Sequence, residues 1–378
     1  MEVKIQKSQL LSHLQRAQNI VERKTTLPIL SHILMETETS RLRLSSTDLE
    51  VGVTETCNAE IVQEGNTTIH ARKFFEIIRE IPEGEIHLEQ KEEQFEIRAG
   101  RSRFRLRSLA PDEFPRIPAI QKTESVKLPG DVLLEMIQKV FVSVSSDETR
   151  YTLTGILTHM DRENDETILR MVSTDGHRLS TCERSLPETE CLSAFRKGEE
   201  AQDRDIILPK KGVQEIRRLM EEGAGDLEFG LFQENAFVRK ENLSMIMRLV
   251  QGKFPDYQAV FPSEIEKRIS ADALVLEESL RRVSVLSTEK SKGIRFSVQP
   301  GKLTFFSNSP EIGEAEEEVD VSYDGEPFEV AFNVRYLLDF LQTVTGEVSI
   351  EFGTGLKPCL IRQKKDLKYN YILMPLRI

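Results

Sequence analysis

Apolar residues recur at helical spacing in three separate segments of the chain. The first carries Leu10, Leu14, Ala17 and Val21, and the second Leu133, Met136, Ile137, Val140 and Phe141. The third carries Leu276, Leu280, Val283 and Leu286. Steps of three and four residues place each set on one stripe of an amphipathic helix. Each segment runs into a strand-like stretch (LPILSHILMET, TGILTHM and GIRFSVQ). Related stretches follow: LRLSSTDLEVGVTE, LRMVSTDGHRLSTCE and LTFFSNSPEIGEAEEE. A second helix is then expected from Ala71, from Pro209 and from Phe332, and each third closes on another pair of strands. The order helix, strands, helix, strands thus occurs three times, with a domain-sized period of about 125 residues.

Runs of strands with two helices per unit favour an α+β fold over a parallel βαβ sheet. Alternation such as Phe104-Arg105-Leu106 suits antiparallel strands with one solvated face. The chain reads as three tandem similar domains, each with two helices packed on antiparallel sheets. Polar, proline-flanked stretches near Gln121–Glu124 and Pro262–Lys267 place the domains at 1–122, 123–262 and 263–378. The aperiodic stretch from Pro187 to Asp205 is expected to be a loop.

Composition narrows the function. A formal net charge of −12 speaks against a surface that is basic throughout, but says nothing about a local basic surface. No apolar run reaches membrane-spanning length and no secretory signal pattern opens the chain, so a cytoplasmic location is expected. Cys57, Cys182, Cys191 and Cys359 form no C-x-x-C, and no histidine pair has zinc spacing, so neither metal nor cofactor is expected.

No phosphate-loop, dinucleotide-binding or metalloprotease pattern occurs. The one stretch that resembles catalytic machinery is Ser173-Thr174-Asp175-Gly176-His177-Arg178. Asp175 and His177 could serve a hydrolase, but Asp-Gly between apolar strand segments is also a hairpin turn. Two charge patterns carry more information. Arg101, Arg103, Arg105 and Arg107 alternate, as do Glu314, Glu316, Glu318 and Asp320, so each set is expected on one face of a strand. Unlike ribbons at opposite ends of a chain suit a head-to-tail contact that closes a ring. Solvated strand edges would carry the same pattern. The end of the chain, Tyr371 to Ile378, is mostly apolar where termini are ordinarily polar, so it enters a core or a partner site, or both, since alternate residues of a strand face opposite ways.

Several stretches together resemble the bacterial DNA polymerase III beta subunit, the replication sliding-clamp family. They are TLPIL (Thr26–Leu30), ARKFF (Ala71–Phe75), GRSRF (Gly100–Phe104), STDGHRL (Ser173–Leu179), PKKGV (Pro209–Val213), KFPDY (Lys253–Tyr257), FNV (Phe332–Val334) and the terminal MPLRI. The resemblance runs over essentially the whole chain. It implies a ring-shaped head-to-tail homodimer that encircles duplex DNA without reading its sequence. Such a ring is non-catalytic, and tethers the clamp loader, polymerases and repair factors through short linear peptides.

By position, the resemblance implies a peptide pocket at Leu153, Thr174, Gly176, His177, Arg178, Leu179, Pro255, Val260, Asn333, Tyr336, Leu356, Met374, Pro375, Leu376 and Arg377. It implies DNA-facing residues at Lys24, Arg72, Lys73, Ser146, Asp147, Arg150, Tyr151, Lys210 and Lys211. For the protomer interface it implies Arg101, Arg103, Phe104 and Leu106 against Val285, Leu286, Glu314 and Glu316. The chain departs from some members at Thr152, at Ala259 and at Leu376, where they carry Tyr, Arg and Met. The competing readings are a protein-interaction scaffold that needs no DNA, and a hydrolase using Asp175 and His177.

Overall fold

The computed structural model describes residues 1–22, 26–120, 123–164, 166–186, 205–223, 225–287, 293–309, 312–353 and 357–377. The loop expected from Pro187 lies outside the described residues, save for Asp205 at its end. Among the described residues each third of the chain supplies two α-helices: α1 (Lys7–Ile20) and α2 (Ala71–Glu80), α3 (Gly130–Phe141) and α4 (Lys210–Glu222), α5 (Ala273–Ser284) and α6 (Val334–Leu341). Within each third the two helices pack against each other.

The predicted stripes are the buried faces. Leu10, Leu14 and Ala17 are buried on α1, Leu133, Met136, Ile137 and Val140 on α3, and Leu276, Leu280 and Val283 on α5. The α5 stripe is shorter than the sequence suggested. The helix stops at Ser284, so Val285 and Leu286 lie beyond it. At the start of α5, Asp272 accepts the Leu274 backbone N–H at 3.0 Å. Asn333 does the same for Arg335 of α6 at 3.0 Å. Each cap satisfies a donor that the helix itself cannot.

Two other expectations shift by part of an element. The TLPIL stretch is not a strand. Pro28–Ser31 is a 3-10 turn, with proline at its first position supplying the φ the turn needs, and the strand runs His32–Glu38. Phe332 and Asn333 close a strand rather than open the helix.

The chain packs into two compact units. One holds residues 1–128 and 225–249, the other 129–186, 205–223 and 250–377. Among the described residues every strand pairing is antiparallel. In the first unit, an eight-stranded sheet takes in strands from two repeats, because Leu243–Arg248 pairs with Val51–Asn58. A five-stranded sheet beside it ends on Ser102–Arg107. In the second unit, an eight-stranded sheet likewise joins two repeats. Its order is Ile206–Pro209, Gly155–Glu163, Glu166–Thr174, Arg178–Leu186, Asp366–Leu373, Cys359–Gln363, Glu347–Phe352 and Lys267–Asp272. A four-stranded sheet there ends on Gly313–Asp320. The middle repeat thus lends strands to both units.

The join in the second unit is the pairing of Arg178–Leu186 with Asp366–Leu373, with Leu179 opposite Ile372 and Thr181 opposite Asn370. A charge network reinforces it. Asp366 takes Lys139 of α3 at 2.6 Å and Arg184 at 2.5 Å, and Glu135 of α3 takes Arg184 at 2.7 Å. Burial alone would raise the Asp366 pKa, but hydrogen bonds from Lys139 and Arg184 bring it below the ordinary 3.8. The stabilisation from this carboxylate is therefore complete above pH 3.8 and is lost as the pH falls through its lower folded value. Asp366→Asn is expected to cost about 2–3 kcal/mol at pH 7, near the low end for a broken buried ion pair because the site is partly hydrated. In urea titrations, the gap between variant and parent should narrow well below pH 3.8. An equal gap at pH 7 and at low pH would contradict this role.

Candidate functional site

The hairpin between Glu166–Thr174 and Arg178–Leu186 turns at Asp175-Gly176-His177. Gly176 sits at φ +87°, a conformation that a side chain rarely adopts. The Asp175 carboxylate accepts the backbone N–H groups of His177 at 2.9 Å and Arg178 at 3.0 Å, and its other oxygen takes Arg178 Nε at 3.0 Å. Thr174 Oγ1 accepts the Gly176 N–H at 3.1 Å and donates to the Arg178 carbonyl at 2.6 Å. Asp175 is therefore committed to the turn and to Arg178, and the His177 ring lies instead beside Tyr336, at 6.4 Å and nearly parallel. The pair is a turn and not an acid–base couple.

Arg178 organises the region. Besides Asp175 it donates to Asp339 of α6 at 2.6 Å, and its guanidinium lies 4.3 Å from the Tyr336 ring centroid. Burial opposes its charge, yet Tyr371, Asp339 and Asp175 hold its pKa above the ordinary arginine value.

Two clefts share His177 and Arg178 as a common wall. The first, of about 180 Å³, is mainly apolar. Leu153, Leu179 and Ile372 are its buried floor, and Val260 and Met374 are exposed lips. Thr174, Gly176 and Pro255 also line it. Nine residues expected from sequence thus converge here: Leu153, Thr174, Gly176, His177, Arg178, Leu179, Pro255, Val260 and Met374. Asp256, Tyr257 and Ile372 join them unforeseen. Ile372 has the alternation of a core strand residue, which is the signal it gave in the sequence. The chain end is pinned nearby: Met374 N–H donates to the His177 carbonyl at 2.9 Å and Leu376 N–H to Ala331 at 2.7 Å. Pro375, Leu376 and Arg377 do not line the apolar cleft, and Leu356 lies outside the described residues.

The second cleft, of about 490 Å³, is polar. Asn333 and Tyr336 line this cleft, not the first, together with Ser146, Asp147, Arg150 and Lys210. Asp147 accepts both the N–H and the hydroxyl of Thr149, which lowers its pKa. Tyr151 projects with 58% of its surface exposed. Lys210 and Lys211 open α4, while Arg72 and Lys73 occupy the first turn of α2 in the other unit. Lys73 pairs with Glu76 at 2.7 Å, and the Arg72 Nε is buried without a hydrogen-bond partner. Lys24 lies outside the described residues.

A pattern that runs against helix stability joins these residues. The first turns of α2, α4 and α6 hold Arg72 and Lys73, Lys210 and Lys211, and Arg335, and none holds an acid. Cations at the positive end of the helix dipole cost stability, whereas anions bind there readily.

The two charge ribbons both lie on edge strands of their sheets. On Ser102–Arg107, Arg103, Arg105 and Arg107 are exposed, while Phe104 and Leu106 are half-buried against the core of their unit. Arg101 does not belong to this ribbon; it lies in the turn before the strand. Nor is the ribbon wholly unpaired. Glu96 on the neighbouring strand takes Arg103 at 2.5 Å and Arg105 at 3.1 Å, and it bonds Arg98 as well. The Arg103 hydrogen bond in particular holds the Glu96 carboxyl far below its usual range. On Gly313–Asp320, Glu314 and Glu316 are exposed, with no ion pair among the described residues. Val285 is 77% exposed and Leu286 half-buried.

Comparison with known proteins is decisive. Three protein-family models match in succession: DNA polymerase III beta subunit N-terminal domain at residues 1–118, central domain at 127–256 and C-terminal domain at 258–377. The chain belongs to the DNA polymerase III beta subunit family. It is 34% identical over 382 residues to the beta sliding clamp of Caulobacter vibrioides, with all of both chains covered. It is 33% identical over 381 residues to that of Escherichia coli, again with full coverage of both. Among solved structures, Caulobacter crescentus pol III beta superposes with a TM-score of 0.90 at 34% identity over 100% of each chain. A Bartonella birtlesii sliding clamp bound to griselimycin gives 0.93 at 30% identity, also over 100% of each. The family is one of sliding clamps, which are non-catalytic processivity factors, and the commitment of Asp175 to its turn agrees with that. Among the described residues no cluster suited to a metal ion occurs, and no helix is long and apolar enough to cross a membrane.

Because Arg178 is the shared partner of Asp175 and Asp339, Arg178→Leu is expected to lower the unfolding free energy by about 3 kcal/mol, leaving two carboxylates without their cation. Urea denaturation measures this; a loss below about 0.5 kcal/mol, the size of an ordinary surface change, would contradict it.

Proposed function

We propose that the chain closes as a head-to-tail homodimeric ring around duplex DNA in the cytoplasm. There it tethers the clamp loader, polymerases and repair factors through short peptides seated in the apolar cleft. Its three clamp domains would span 1–122, 123–262 and 263–378. The observation that carries the DNA reading is the set of first-turn cations on α2 and α4, Arg72 and Lys73 with Lys210 and Lys211. That arrangement costs each helix stability and gains only when an anion is close. Arg72, Lys73, Lys210 and Lys211, with Lys24, Ser146, Asp147, Arg150 and Tyr151, form the proposed DNA-facing set. Few, mobile phosphate contacts let a ring slide, since phosphates position a protein without conferring sequence preference.

The protomer contact would join the two edge strands. Arg103, Phe104 and Leu106, with Arg101 beside them, would meet Glu314, Glu316, Val285 and Leu286 of a second copy. Edge strands leave a row of backbone donors and acceptors unpaired, and an unlike edge satisfies them. The apolar cleft suits a peptide with apolar anchors, because its buried floor and flexible Met374 lip adapt to different side chains.

Topology separates this reading from a DNA-independent scaffold. Once loaded, the protein should stay on a closed circular duplex and run off the same duplex after linearisation. Equal retention on both forms, measured by gel filtration, would contradict encirclement. Replacing Phe104 and Leu106 by Asp places charge in the proposed contact. Sedimentation should then report the mass of a single 43.3 kDa chain, and an unchanged dimer would rule out this contact.

A further inference from the structure

The polar cleft holds seven charged side chains whose states differ by sign. Its acids are already engaged. Asp175 and Asp339 share Arg178, Asp175 also accepts two backbone N–H groups, and Asp147 caps Thr149. Of its four cations only Arg178 is closely paired with a carboxylate. Lys210 and Arg335 have no ion pair among the described residues, and Arg150 reaches Asp147 only at 3.8 Å. Lys210 is half-buried, and that burial, with the positive charge of Arg178, pushes its pKa down. A cation that has lost water and gained no carboxylate has a desolvation cost that an incoming anion offsets. The backbone reinforces this, since Lys210 and Arg335 both lie in the first turns of their helices.

We propose that this cleft is a carboxylate receptor for an acidic residue flanking the apolar anchors of a partner peptide. Arg335 is its donor outside the proposed DNA-facing set, and Arg150 and Lys210 serve it from the margin that the two surfaces share. The proposal rests on the peptide cleft proposed above and assigns the polar arm that extends it. Continuity favours a peptide carboxylate over a DNA phosphate. The two clefts meet at His177 and Arg178, so one extended segment with anchors in the first reaches the second within a few residues. The stacked His177 and Tyr336 rings lie between as a flat wall for the peptide backbone. Charge-assisted bonds from arginine and lysine to a carboxylate are among the stronger polar contacts.

The test uses the full chain and two sets of synthetic peptides carrying leucine and phenylalanine anchors. One set has Glu on either flank, the other Gln at the same positions. Fluorescence anisotropy at low salt should show one Glu peptide binding about tenfold tighter than its Gln counterpart. The doubly substituted Lys210→Gln, Arg335→Gln protein should lose that advantage while binding the Gln peptide as the parent does, which also shows that the apolar cleft remains folded. No advantage for Glu in the parent, or an advantage that survives both substitutions, overturns the proposal. If the substitutions shorten retention on circular duplex and leave both peptides unaffected, the cleft receives a DNA phosphate instead and the proposal fails. If the Gln peptides bind but Glu adds nothing, the apolar cleft stands and only its polar arm falls. If no peptide binds, the peptide cleft and this extension fail together.

Discussion

The pairing of Arg178–Leu186 with Asp366–Leu373 is the constraint on which the functional surface depends. These strands belong to different sequence repeats, yet they form adjacent rungs of one sheet. Their register sets Leu179 against Ile372, which places both in the cleft floor, and Arg178 against Leu373, which brings the STDGHRL turn beside the chain end. A slip of one residue would turn Leu179 and Ile372 away from the cleft. The network of Asp366, Lys139, Arg184 and Glu135 opposes such a slip, because Asp366, Lys139 and Arg184 are buried enough that leaving them unpaired is costly. The small apolar cleft is thus set by long-range sheet geometry, and the apolar tail is both a strand and a lip.

Charge is distributed on the same logic. The net −12 describes the whole chain and conceals where the cations sit. Several are placed where local stability would not put them, at the starts of α2, α4 and α6. Violations of local preference that recur at matching positions mark function better than composition does. By contrast, the arginines of the Ser102–Arg107 edge are partly engaged by Glu96. That internal partner fixes their direction. It also tempers the attraction any acidic edge would exert, so the apolar residues Phe104 and Leu106 become the main source of adhesion at the proposed contact.

Much of this was legible in the sequence where the signal is local. Helical stripes and strand alternation gave the six helices and most of the hairpins, and Asp-Gly gave the turn at Asp175. What escaped was non-local. Glu96 faces Arg105 across two paired strands, and no spacing rule reveals that register. Ile372 is apolar on a strand that is mostly core, so its place in the cleft shows only once Arg178–Leu186 is beside it. Asn333 and Tyr336 were expected with the apolar anchors, yet the start of α6 places them, as its cap and in its first turn, in the polar cleft, where Tyr336 carries the Arg178 guanidinium. Pro28 illustrates a local signal outweighed by another: the apolar run suggested a strand, and the proline at its head sets a 3-10 turn instead.

The central claim is that this inter-repeat seam builds the peptide cleft. Hydrogen–deuterium exchange with and without a leucine- and phenylalanine-anchored peptide tests it most directly. Slower exchange is predicted in 174–179, 255–260 and 372–376, the segments that meet at the seam, with little change on the edge strand 102–107. Bound peptide that leaves all three segments unaltered and protects another surface would contradict the account.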